Sequence, residues 1–426
     1  MIVRVNGPLG GQVTPPPSKS AAHRALICAA LSDRPSTIRC DMVNDDIRAT
    51  AGCLNALGAE ISQNGVCYNV QPITKVHFNA TLDCRESGST LRFLLPVTAA
   101  LGRTASFVGS GRLPERPLSP LYERMVEHGA VLSPQGAMPL MLSGQMRGGT
   151  FRLAADVSSQ FISGLLLALP LTAEGGRIEL TGRVESAPYL DMTVQTMRRF
   201  GIEVRYTVDA IEVPEGQHYS AVDNLTIEGD WSGAAFWLAA GAAGTQPLTL
   251  TGLDYAGTVQ GDRRMVDILR AMGAQFIIES GKITAIPSAL HGIETDCADT
   301  PDLVPVLAVA AARAAGETRF TGVGRLRLKE SDRLASIVEL LDAFGIRSTV
   351  GDDTLTVYGN PFRQPSGTPV RTDPHHDHRM AMAAAVMAAV MQQETLIGDA
   401  GCITKSYPSF YADFERLGGL YQVVEY

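Results

Sequence analysis

No stretch of this chain is apolar for long enough to cross a bilayer. Its longest such runs, 161–171 and 380–391, fall short of the roughly 20 residues a spanning helix needs. A cysteine framework is also missing. The seven cysteines, at 28, 40, 53, 67, 84, 297 and 402, are odd in number and include no C-x-x-C pair. That excludes a disulfide scaffold and a zinc site and leaves free thiols. There is no basic surplus: the net charge of -8 argues against generic nucleic-acid binding, so any anion site must be local. No G-x-G-x-x-G, Walker A lysine, nucleophile elbow or paired Cys/His signature occurs. Chemistry by carboxylates and lysines, without cofactor or covalent intermediate, stays open. The run His375-His376-Asp377-His378 invites a metal, but contiguous residues cannot easily all face one ion and no partner cluster has ligand spacing, so none is expected. Met1-Ile2-Val3-Arg4 reads as the start of a strand rather than a signal peptide, and a cytoplasmic protein is expected.

What is present is a repeat. At 426 residues, 45% hydrophobic and 19% charged, the chain is globular in composition and too long for one simple core. Gly58, Gly129, Gly201, Gly273, Gly345 and Gly418 follow one another at intervals of 71 to 73 residues. Each ends an amphipathic helix pattern, where a residue with positive φ is wanted, and a strand-like segment follows. Ile47, Ala51 and Leu54 show the core-facing spacing, as do Leu118, Leu121 and Met125. Earlier in each unit lies a small, all-round apolar helix candidate: 25–31, 91–101, 161–171, 234–243, 303–315 and 380–391. A helix apolar on every face must be buried. The expected fold is α/β, with six strand-helix units in two domains, residues 17–228 and residues 1–16 plus 229–426. The linkers would be Pro15 to Pro17 and the break near 228–231, and two such crossings would let the domains hinge over a ligand in the cleft between them.

The chain is organised around Pro17-Ser18-Lys19-Ser20-Ala21-Ala22-His23-Arg24. Three prolines hold the backbone extended ahead of a run of good helix formers, so Ser18 or Ser20 is a plausible cap. Lys19, Ser20, Arg24 and the helix N–H groups would then favour an anion at one spot. Every other buried-helix candidate also starts polar: Glu86 to Arg92, Asp156 to Gln160, Asp230 to Ser232, Asp299 to Asp302, and Asp377 to Arg379. The second helices add Arg112 to Pro117, Glu185 to Tyr189, Lys329 to Arg333, and Lys405 to Pro408. Caps account for most Ser and Asp positions but not for the cations. Lys19, Arg92, Arg116, Arg333, Arg379 and Lys405 would oppose a helix dipole unless an anionic ligand offsets the cost.

Across all six repeats, these motifs resemble the 5-enolpyruvylshikimate-3-phosphate synthases. The match rests on Ser18-Lys19-Ser20 with Arg24, Ser87-Gly88-Ser89 with Arg92, Glu115-Arg116-Pro117, Ser158-Ser159-Gln160-Phe161, Pro301-Asp302, Lys329-Glu330-Ser331-Asp332-Arg333, Asp377-His378-Arg379-Met380-Ala381-Met382, and Lys405. The resemblance implies two inside-out α/β domains, each of three repeats around buried parallel helices. It implies enolpyruvyl transfer from phosphoenolpyruvate to the 5-hydroxyl of shikimate 3-phosphate, by a monomer. Lys19, Ser20, Arg24, Ser158, Ser159, Gln160, Ser186, Asp302, Arg325 and Lys329 would hold shikimate 3-phosphate. Lys19, Gly88, Arg116, Gln160, Arg333, Arg379 and Lys405 would hold phosphoenolpyruvate. Asp302 would be the base, and Glu330 or Lys19 the acid.

Two departures from the family pattern stand out. Glu86 occupies a position where many members have Asn, and Arg325 one where Asn often contacts the shikimate side. Gly88 leaves room where Ala would crowd glyphosate. The related transferase acting on UDP-N-acetylglucosamine is the nearest alternative, but its usual loop Cys has no counterpart in 109–117. A non-catalytic anion-binding repeat scaffold, or an enzyme processing nucleic-acid ends, is the alternative from another class.

Overall fold

In the computed structural model, all residues are described except 42–43, 137, 155–157, 183–185, 208–209 and 425–426. Asp156, Val157 and Glu185 of the polar helix starts therefore lie outside the described residues. The chain divides into two compact units, Pro17–Ile227 and Met1–Pro16 with Glu228–Tyr426. Pro16 and Asp230, at the two crossings, are joined by a backbone bond of 2.8 Å from Asp230 N to Pro16 O.

The first unit holds α1 (Lys19–Ala30), α2 (Asp45–Leu57), α3 (Gly88–Ala100), α4 (Leu121–Glu127), α5 (Ser159–Ala168) and α6 (Ala187–Arg199). The second holds α7 (Trp231–Ala243), α8 (Arg264–Ala271), α9 (Val304–Arg313), α10 (Arg333–Ala343), α11 (His378–Met391) and α12 (Phe410–Arg416). Odd-numbered helices are the apolar ones, and they are buried: every residue of α7 and α11 is inside. Small residues at Ala234, Ala235, Ala239 and Ala240 let α7 pack closely on its neighbours. Each even-numbered helix has its C-cap at or one residue before its repeat glycine. Gly58, Gly129, Gly201, Gly273, Gly345 and Gly418 have φ of 114°, 103°, 82°, 98°, 68° and 97°, a region that costs other residues strain.

The described strands form six four-stranded mixed sheets, three in each unit. In each, a parallel pair at one edge continues into antiparallel strands; Ala80–Asp83 runs parallel to Ala105–Val108, which pairs antiparallel with Leu140–Gly144. The N-terminal strands belong to the second unit: Ile2–Asn6 lies between Thr395–Ile397 and Leu420–Val424, and Gly11–Val13 pairs with Leu248–Thr251.

Local starts differ from the sequence reading in three places. Prolines at 117, 120, 301 and 408 delay or tighten the first turns. Arg116 follows the 3-10 turn Leu113–Glu115, Asp302 lies inside the 3-10 turn Pro301–Leu303, and Lys405 ends the 3-10 turn Ala400–Lys405. Arg116 and Lys405 are thus not in the first turn of an α-helix.

Candidate active site

Within the first unit, α1 begins as the sequence indicates, with Ser18 accepting from Ala21 N. Lys19, at the first helical position, donates to Asp46 Oδ2 at 2.8 Å. Asp46 lies in the first turn of α2, where a carboxylate also suits the helix dipole. Arg24 is 2% exposed and donates from all three nitrogens within the protein: to Thr193 Oγ1 at 2.7 Å, Ser20 O at 2.6 Å and Tyr189 O at 3.0 Å. Its guanidinium lies 4.9 Å from the Phe93 ring centroid. Burial lowers its pKa to about 10, so it stays charged at neutrality. By this route Arg24 fixes the start of α6 against α1. Ser186, just ahead of α6, is buried and left-handed at φ 60°, a strained conformation for serine.

The starts of α3 and α5 form a second group. Arg92 donates to Gln160 Oε1 at 2.6 Å and Pro117 O at 3.0 Å, and Gln160 Nε2 donates to Ser89 Oγ at 2.9 Å. Ser158 caps α5, and Ser159 is buried beside it. The Arg116 guanidinium lies on Gly88: a Cβ there would meet Nη1 at 2.8 Å. The absent side chain is what lets a cation approach the N-terminus of α3. The Glu86 carboxylate packs against Gly111. A buried chain ties these helices together, from His23 Nδ1 to Thr50 Oγ1 at 2.7 Å, on to Thr90 Oγ1 at 2.7 Å, and to Ser87 Oγ at 2.8 Å. Burial pushes His23 down to about 3, so its ring is neutral.

Within the second unit the ionised residues converge on two carboxylates. Asp302 Oδ1 accepts from Arg333 Nη1 at 2.8 Å and Lys329 Nζ at 3.4 Å; Oδ2 accepts from Arg379 Nη2 at 2.9 Å. Arg333, 1% exposed, also donates to Asp377 Oδ2 at 2.7 Å and Glu330 Oε2 at 2.8 Å. Asp377 in turn caps α11 by accepting from Arg379 N at 2.9 Å, so one carboxylate sets both arginines. Burial works to raise the Asp302 pKa, but Arg379, Lys329 and Arg333 outweigh it and hold the carboxyl well below its usual range. Burial lowers Lys329 to about 8, against the pull of Asp302. Arg325 donates to Ala298 O at 2.7 Å and is close enough to Lys329 to help lower it. Lys405 is buried at 7% exposure.

The histidine run separates. His375 pairs with Glu339 at 2.6 Å, His376 with Asp399 at 2.7 Å, and His378 is buried. Sequence reasoning gave no role to Asp46, His23, Thr50 or Asp377, whose partners are distant in sequence. Asp377 stood inside a named motif, and its position directly ahead of an apolar run was the available signal. No described helix is long and apolar enough to cross a membrane.

The chain matches the family model for EPSP synthase (3-phosphoshikimate 1-carboxyvinyltransferase) over residues 3–414. It is 39% identical to a 3-phosphoshikimate 1-carboxyvinyltransferase from Clostridium kluyveri, covering 96% of both chains. It is 38% identical to one from Clostridium perfringens, covering 97% of both. Among solved structures, EPSP synthase from Acinetobacter baumannii superposes with a TM-score of 0.80 at 22% identity, over 99% of this chain and 100% of that one. The enolpyruvyl transferase NikO from Streptomyces tendae gives 0.77 at 20% identity, over 99% of this chain and 98% of that one. At those identities the structural likeness speaks for the fold.

Proposed function

We infer the chemistry from membership: the chain belongs to the EPSP synthase (3-phosphoshikimate 1-carboxyvinyltransferase) family and transfers the carboxyvinyl, or enolpyruvyl, group to shikimate 3-phosphate in the shikimate pathway. The donor is phosphoenolpyruvate, and the products are 5-enolpyruvylshikimate 3-phosphate and phosphate. The observation that carries the site reading is the carboxylate of Asp302 set among Arg379, Arg333 and Lys329. Such a group holds a base ionised and offers cations to a transferred phosphate in one place.

Lys19, Ser20, Ser158, Ser159, Gln160, Ser186, Asp302, Arg325 and Lys329 hold shikimate 3-phosphate, and Arg24 supports them by fixing Ser20 and the start of α6. Lys19, Gly88, Arg116, Gln160, Arg333, Arg379 and Lys405 hold phosphoenolpyruvate. Asp302 takes the proton of the 5-hydroxyl as its oxygen bonds to C2 of phosphoenolpyruvate. Glu330 or Lys19 gives a proton to the methylene carbon, completing a tetrahedral adduct. The adduct then loses that carbon's proton and its phosphate, restoring the double bond. Neighbouring cations offset charge on the departing phosphate. The proposal extends to a cytoplasmic protein that acts as a monomer, and sedimentation of the purified chain tests the oligomeric state.

The deciding experiment is phosphate release from phosphoenolpyruvate with shikimate 3-phosphate as acceptor, run beside UDP-N-acetylglucosamine. Release with the first acceptor and none with the second is expected. The reverse pattern overturns the reading.

A further inference from the structure

Asp262 has no role in the reaction as set out above, yet it is a carboxyl buried within reach of its charges. It lies in the 3-10 turn Gly261–Arg263 ahead of α8 and is 3% exposed. Its Oδ2 accepts from Ser232 Oγ in the first turn of α7. Oδ1 is buried and has no hydrogen-bond partner among the described residues. The turn is clamped against α7 by Gln260, whose Oε1 accepts from Trp231 N at 3.1 Å and whose Nε2 donates to Gly229 O at 2.8 Å. Asp302 and Arg379 face Asp262 electrostatically, as does Asp230 at the cap of α7. On its own side of the fold, Arg263 is turned to Tyr255 O at 3.2 Å, and Arg264 acts on Cys297.

Two carboxyls therefore feel the charge of Arg379, and they are unequally supported. Asp302 has three cations on its two oxygens. Asp262 has one serine hydroxyl and a buried oxygen left over. When two such groups compete, the proton stays on the one with less support for its charge. Burial, and then the charge of Asp302, push Asp262 up to about 7, despite the opposing pull of Arg379.

We propose that Asp262 is a positioning residue, a buried proton store that acts on Arg379 and couples the hold on the anionic donor substrate to pH. The proposal rests on the reading that Arg379 binds phosphoenolpyruvate. Protonated, Asp262 leaves the guanidinium charge to Asp302 and the ligand. Ionised, it adds a competing negative charge. An anion arriving at Arg379 raises the cost of that charge, so binding above neutrality draws one proton from solvent onto Asp262.

The test is the KM for phosphoenolpyruvate at saturating shikimate 3-phosphate, from pH 6 to 8.5, in the intact enzyme. The ratio of wild-type to Asp262→Asn KM should climb as pH rises through about 7. The change is up to about tenfold for each unit by which the ligand moves the carboxyl's pKa. Taking the ratio cancels ionisation of the substrate and of Lys329, whose lowered pKa owes nothing to Asp262 among its named causes. Ser232→Ala removes the donor that favours the ionised form, so it should move the rise to higher pH. Each variant is checked by circular dichroism; if Asp262→Asn does not fold, the ratio of wild-type to Ser232→Ala KM carries the test, and should rise just above pH 7, where only the wild-type carboxyl is ionised. A pH-independent ratio for Asp262→Asn, or an unmoved rise in Ser232→Ala, overturns the proposal. Arg379→Gln separates the underlying reading: if it leaves the KM for phosphoenolpyruvate unchanged, that reading fails and takes the proposal with it. If it raises that KM while the ratio stays flat, the Asp262 proposal fails alone.

Discussion

Arg379 donates to Asp302 Oδ2 at 2.9 Å, so the cation proposed to hold phosphoenolpyruvate and the carboxylate proposed as base are bound to each other. A carboxyl held well below its usual range is a weak base. Transfer of Arg379 from Asp302 to an incoming anion would release part of that hold. Donor binding would then raise the basicity of Asp302 just when a proton must be taken.

Asp302→Asn should therefore lower kcat by about 100-fold to 10,000-fold, the range of a lost general base. Removing the carboxylate also leaves Arg379 and Arg333 short of a partner, so the KM for phosphoenolpyruvate should not rise. Steady-state kinetics checks both halves. Near-native kcat would remove Asp302 as the base.

Lys19→Met should weaken binding of at least one ligand by about tenfold or more, the scale of a lost charge-assisted hydrogen bond. It also removes the ion pair with Asp46 at 2.8 Å, which lowers stability whether or not Lys19 meets a ligand. Adding Asp46→Asn separates the two effects. Thermal stability should partly return in the double variant while affinity stays low. Isothermal titration and melting curves read the two quantities, and native affinities for both ligands would reduce Lys19 to a helix-end ion pair.

Gly88→Ala should raise the KM for phosphoenolpyruvate more than it lowers kcat. The new methyl would stand 2.8 Å from Arg116 Nη1 and 3.1 Å from its Cζ, so the guanidinium must shift off the start of α3. Arg116→Ala made alone should raise the same KM, and the double variant should add little, because both changes act on one contact. Fully additive effects would mean that Gly88 acts by another route.

These cases show which features a single sequence carries. The six helix-ending glycines are legible because positive φ selects glycine and the 72-residue rhythm repeats the selection; all six have φ of 68° or more. The buried helices are legible because a helix apolar all round has nowhere else to go. Arg116 and Lys405 lie near helix starts, as expected, but ahead of the first turns of α4 and α12, since nearby prolines delay those turns. The ion-pair web of Arg333 was invisible, because Asp302 and Asp377 lie 31 and 44 residues away and no local pattern pairs them. Asp262 gave no signal at all, because only burial distinguishes it from a surface carboxylate.

The neutral histidine of the first unit sets a stability signature that can be isolated. His23 has a pKa of about 3 when folded and 6.5 as its reference value, with burial the leading cause. Below pH 6.5 the unfolded chain takes up a proton that the folded chain refuses, so His23 costs stability as pH falls, with the full penalty reached near 3. Asp262 works in the opposite sense. Its folded value of about 7 exceeds its reference of 3.8, so it costs stability as pH rises between those limits. The two slopes offset each other in the wild-type chain between pH 4.5 and 6.5, and a flat profile there would be uninformative. The comparison with His23→Asn resolves this, since asparagine can keep the hydrogen bond to Thr50 without titrating. Denaturant titrations should show the variant less stable at pH 7, where it loses ring packing against Phe93. It should then gain on the wild type by roughly 1.4 kcal/mol per pH unit on acidification, about 2 to 3 kcal/mol by pH 4.5. A stability difference that does not change with pH would mean that His23 takes up its proton equally in the folded and unfolded chains.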